Sequence, residues 1–105
     1  MHILFDQGTP VPLREALIGH MVETAYERGW STLENGELLA AAQASAFDVL
    51  ITTDQSLRHQ QILSGRSLAI LVLPTTRWPQ IRRHVPEVVA VVASIQPGEF
   101  RELNW

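Results

Sequence analysis

Two uninterrupted apolar runs constrain this chain more than any other feature. Asp48–Thr53 reads DVLITT and Leu68–Leu73 reads LAILVL. Neither alternates apolar with polar residues, as a strand with one wet face does. Continuous β-branched and leucine runs belong to strands buried on both faces, as in a parallel sheet. His2–Phe5 (HILF) reads as a further strand, ended by Asp6-Gln7-Gly8, and Met21–Thr24 (MVET) as a weaker, more polar one. Helical segments separate them: Pro12–Ile18, then Gly36–Ala46 with Asn35 as its N-cap, then Gln55–Leu63. Pro79 and Pro86 suit the first positions of two last helices, near 79–84 and 86–95. The alternation predicts one α/β domain over residues 1–97. Its four-stranded parallel sheet takes the order 2-1-3-4, with right-handed crossovers and helices on both faces. Residues 98–105 (GEFRELNW) read as a C-terminal tail, disordered or closed onto a partner.

Such a chain is held by its core alone. It has 105 residues, enough for one domain, and no cysteine, which excludes disulfides, thiolate metal sites and a cysteine nucleophile. No basic region precedes an apolar N-terminal run, and no run approaches the ~20 residues of a spanning helix. A cytoplasmic protein without a membrane anchor is expected. Charge is unevenly distributed. All eight basic residues are arginine; residues 1–53 carry two of them against seven acids, and residues 54–105 carry six against four. Between Asp54 and Glu87 there are five arginines and no acid. Such a stretch gives an acidic protein one positive face for phosphate, although a solvated arginine-rich helix has the same composition.

An open parallel sheet binds ligands beyond the carboxyl ends of its strands, where the strand order reverses. Asp6 directly follows the first strand and Asp54 the third. Glu37 opens the helix that feeds the third strand, so it starts at the same edge. Three clustered carboxylates share protons or hold a hard divalent cation, and Mg²⁺ or Mn²⁺ suits an oxygen-rich, open site. A water activated there attacks a phosphodiester. Each acid alone also makes an ordinary turn or helix cap. Competing chemistries lack their parts. No two histidines have HExxH spacing, no nucleophile elbow surrounds a serine, and no phosphate-binding glycine loop occurs. A phosphoreceiver domain requires a lysine, and there is none.

The segments ILFDQ, NGELLA and LITTDQSL resemble the short PIN-like proteins, compact relatives of the PIN-domain ribonucleases. The resemblance covers roughly residues 2–95 in the order of elements. It implies a parallel sheet with an acid after the first strand, one on a middle helix and one after a later central strand. Asp6, Glu37 and Asp54 occupy those positions. By this resemblance the three are catalytic residues and ligands of Mg²⁺ or Mn²⁺ in an enzyme that cleaves single-stranded RNA. Many relatives are toxin components of toxin–antitoxin pairs, which implies an antitoxin-like partner. Two departures stand out: no fourth acid follows Asp54 before Glu87, and Gly8 stands where short relatives often carry Asn. A catalytically silent module that binds RNA or protein is the alternative.

Arg58 and Arg66 flank the helix after Asp54, and Arg77 follows the fourth strand, positions suited to gripping RNA phosphates. Arg82 and Arg83 are adjacent, and adjacent helical residues do not face one groove. Trp30 and Trp78 read as packing residues. The segment Val85–Ile95 is apolar nearly all round, which predicts a homodimer interface or a docking face for the antitoxin-like partner.

Overall fold

The computed structural model describes residues 1–59 and 67–105. The two apolar runs form the strands expected of them, β3 (Val49–Thr52) and β4 (Ala69–Val72), every residue of both buried. β1 (His2–Phe5) and β2 (Met21–Thr24) precede them, and β5 (Phe100–Glu102) closes the sheet. The order is β2-β1-β3-β4-β5 and every neighbouring pair is parallel. Side chains leave successive strand residues on opposite faces. Accordingly Ile3, Phe5, Val49, Ile51 and Leu71 enter one core, while Leu4 and Leu50 enter another.

Each face has its own cover. On the first lie the 3₁₀ turn Val11–Ala16 and two helices, α2 (Trp78–Arg82) and α3 (Val85–Ser94), through Leu13, Ile81, Val88, Val91 and Val92. On the second lies α1 (Asn35–Ala44), through Leu38 and Ala42, with Leu57 of the turn Gln55–His59 beside it. Pro79 and Pro86 sit in the first turns of α2 and α3, where a missing N–H costs nothing. Trp78 packs on the first core and Trp30 on the second, against Phe47. α3 buries Val88, Val91, Val92 and the following Ile95 while Pro86, Val89, Ala90 and Ala93 stay exposed, so its apolar circumference is divided between the sheet and solvent. Among the described residues, no helix is long and apolar enough to cross a membrane.

Three expectations are corrected. Residues 98–105 are not a free tail: they carry a fifth strand. Gly98, with φ of 75°, turns the chain after α3 and donates its amide to the Ser67 carbonyl at 3.0 Å. Ile70 then donates to Glu99 (2.8 Å) and Leu103 to Val72 (2.9 Å), so β4 acquires a neighbour on its open side. Pro12–Ile18 is a 3₁₀ turn over Val11–Ala16 rather than an α-helix, with Pro12 in its first turn and Gly19 in a left-handed conformation beyond it. α1 starts at Asn35 with Glu34 as its N-cap, one residue earlier than expected. The expected helix Gln55–Leu63 is described only over Gln55–His59, the rest lying outside the described residues.

α1 ends on a left-handed residue that is not glycine. Ala46 has φ of 60°, its amide donating to Gln43, while Phe47 donates back to Ala42 at 3.0 Å. A side chain in that region costs about 1–2 kcal/mol, against about 0.5–1 kcal/mol for the extra freedom glycine has when unfolded. Ala46 is exposed, so its methyl contributes little packing. Ala46→Gly is therefore expected to stabilise the fold by about 0.5–1 kcal/mol and raise Tm by a few degrees. Thermal unfolding followed by circular dichroism checks this, and a lowered Tm would mean that the methyl packs.

Candidate functional site at the carboxyl edge of the sheet

The order β2-β1-β3-β4-β5 reverses between β1 and β3, and their carboxyl ends release Asp6 and, two residues on, Asp54 at one edge. Thr52, the last residue of β3 and fully buried, joins the two. Its hydroxyl donates to Asp6 Oδ2 and accepts the Asp54 amide at 3.0 Å. The other Asp6 oxygen is met by the Thr9 hydroxyl at 2.7 Å, and the Asp6 amide donates to Ile51 of β3 at 3.3 Å. Among the described residues, the side-chain partners of Asp6 are thus neutral donors.

Asp54 is also enclosed by neutral donors. Oδ1 accepts from the Ser56 hydroxyl (2.6 Å) and amide (2.9 Å), and Oδ2 accepts from Asn35 Nδ2 (2.6 Å). These bonds favour the charged form: Ser56 first, then Asn35, hold the Asp54 carboxyl below the ordinary carboxylate range against an opposing effect of burial. Asp54 thereby opens the turn Gln55–His59, a capping role. Among the described residues no basic side chain pairs with Asp6 or Asp54.

Glu37 does not complete a trio. It is exposed on the first turn of α1, where its Oε1 accepts the Glu34 amide at 3.1 Å in a capping box. Asn35, not Glu37, is the α1 residue that reaches Asp54. Among the described residues, no group of three histidine, aspartate or glutamate side chains that could hold a metal ion occurs. The site as built is a pair of carboxylates linked by Thr52, with Thr9, Asn35 and Ser56 around it. Sequence reasoning does not place Thr9, Thr52 or Asn35 at the site, and it expects Ser56 there only as a residue orienting a water. The ITTD run carried a signal, since a threonine ending a buried strand two residues before an acid has a hydroxyl that needs partners.

Three loops lock together around the pair. A Cβ on Gly8 would lie 2.3 Å from Thr53 Oγ1 and 3.6 Å from the Thr76 methyl, so glycine lets the loop after β1 lie on those after β3 and β4. Gln55 Nε2 donates to the Leu73 carbonyl at 2.5 Å and ties the last two. Arg77, next to Thr76, is exposed at this same edge. The side chain of Arg58 and the whole of Arg66 lie outside the described residues. Beside Asp6 opens a cleft of about 310 Å³, lined by Thr9, Arg14, Thr24, Tyr26 and Glu27. Thr24 and Glu27 exchange backbone and side-chain bonds across their turn (2.9 and 3.0 Å), and Tyr26 between them stands exposed. Arg14 pairs with Glu27 through two bonds (2.8 and 3.2 Å).

No protein-family model, curated protein or solved structure matches this chain.

The Asp54 environment has a consequence for stability. Its folded pKa is depressed, so its contribution is present above the unfolded value of about 3.9 and is lost as pH falls through the folded value. Urea midpoints of the wild type, measured in EDTA, should fall more steeply below about pH 4 than those of Asp54→Asn. Coincident profiles would mean that Ser56 and Asn35 do not favour the carboxylate.

Proposed function

We propose that this chain is a PIN-like endoribonuclease that cleaves single-stranded RNA with Mg²⁺ or Mn²⁺ held by Asp6 and Asp54. One observation carries the proposal. Two carboxylates stand at the point where the strand order of a parallel sheet reverses, linked through Thr52 and without a basic partner among the described residues. The donor set fits the cation: Mg²⁺ is commonly held by one or two carboxylates, with substrate phosphate oxygens and waters completing its shell. A bound cation would supply Lewis-acid polarisation of the phosphodiester and a more acidic water. Asp6 and Asp54 would hold the cation, and Thr52 fixes their spacing. Glu37 would join them only by releasing the Glu34 amide. A second copy of the chain, or an antitoxin-like protein, docking on the outer face of α3 belongs to the same proposal.

A second reading has its own support. Asp54 and Glu37 both make capping bonds that a purely structural residue makes, which favours a silent module acting by binding. RNA cleavage separates the two. The wild type is expected to cut labelled single-stranded RNA when Mg²⁺ or Mn²⁺ is added. Asp6→Asn, which keeps shape and removes a ligand charge, should cost several kcal/mol of transition-state stabilisation, about 100-fold in rate or more. Binding of RNA without cleavage by the wild type decides for the silent module. Equal rates in wild type and variant would falsify the assignment of Asp6.

A further inference from the structure

The arginines of the described residues divide into two groups. Arg14 pairs with Glu27 (2.8 Å), Arg28 with Glu23 (3.5 Å) and Arg101 with Glu99 (3.2 Å). Arg77, Arg82 and Arg83 are all exposed, and among the described residues none has a carboxylate in ion-pair reach. These three belong to one surface. Arg77 and Arg83 line a hollow of about 340 Å³ with Pro79, Gln80 and His84. Arg83 and Arg82 line a second, of about 400 Å³, with Pro79. Arg83, shared by both, makes the surface continuous. The nearest acid in sequence, Glu87, already accepts from His84 Nδ1 (2.9 Å) and Trp105 Nε1 (2.7 Å).

We infer that Arg77, Arg82 and Arg83 bind consecutive phosphates of a single-stranded RNA and lead it to the carboxylate edge. The choice of occupant rests on the proposed ribonuclease activity. Guanidinium forks match phosphate oxygens, and unpaired arginines leave those donors available. The surface adjoins the Asp6–Asp54 edge, because Thr76, immediately before Arg77, packs beside Gly8, two residues after Asp6. A chain lying across α2 and Arg77 therefore arrives over the loops that hold both carboxylates. Arg82 and Arg83 act together because both line the hollow beside Pro79, although they are adjacent at the end of α2.

Salt dependence of binding tests this without cleavage. Fluorescence anisotropy of labelled oligouridylate, titrated in EDTA, gives the affinity at each salt concentration. Each neutralised phosphate of a single strand contributes about −0.7 to the slope of log affinity against log salt, so three contacts give about −2. Arg77→Ala, Arg82→Ala and Arg83→Ala should each flatten the slope by about 0.7, and the triple variant should flatten it by about 2. Arg83→Lys, which keeps the charge, should keep the slope. A triple variant with the wild-type slope overturns the inference, as does a wild type that binds no oligouridylate or that binds polyglutamate equally well. If the slope collapses in the triple variant but the wild type never cleaves RNA, the phosphate surface stands and the nuclease activity falls. If the wild type cleaves and the slope does not change, the reverse holds.

Discussion

The structure depends on the burial of three strands from both sides. β1, β3 and β4 carry apolar side chains up and down, so neither face of the sheet tolerates water. Parallel pairing satisfies their backbone groups while leaving both faces to be covered. Every connection between them must leave one end of the sheet and return to the other, taking its covering segment along. The carboxyl ends of all three strands consequently lie at one edge. The residues just beyond those ends are thereby brought into one neighbourhood: Asp6, Asp54 and, after β4, Thr76 with Arg77.

That arrangement is legible in the sequence because its signals are dense. DVLITT and LAILVL identify buried strands by composition alone, and an acid after a strand end needs no side-chain geometry to be located. β5 is hidden by its shortness and its mixture. Phe100-Arg101-Glu102 covers an edge, where charged residues discourage further pairing, so it has no apolar run to detect. Glu37 departs from expectation through helical phase. Successive residues of a helix turn through roughly 100°, given 3.6 per turn, so which side chain reaches the edge depends on the first helical residue. With Glu34 as the N-cap, Asn35 meets Asp54 and Glu37 folds back onto the cap. The adjacency of Arg82 and Arg83 argues against a shared groove along a helix, yet at the short α2 both line one hollow with Pro79.

The polar residues of the edge perform two tasks that pull against each other. Thr9 satisfies Asp6, while Ser56 and Asn35 satisfy Asp54 and favour its charged form, which any cation site requires. The same bonds occupy the lone pairs a cation would seek. Neutral donors resolve this better than arginine or lysine would, because they yield without leaving an unpaired positive charge behind. The chain contains no lysine, and among the described residues no arginine pairs with Asp6 or Asp54: Arg14, Arg28 and Arg101 pair with glutamates, and Arg77 stands exposed at the edge.

Gly8 gives this edge a further property. With Thr53 and Thr76 closed against it, the loops after β1, β3 and β4 lose their independence once the sheet has formed. The entropy of ordering them belongs to folding rather than to recognition. An incoming ligand then restricts only side-chain rotamers, and its affinity measures contacts made rather than backbone immobilised.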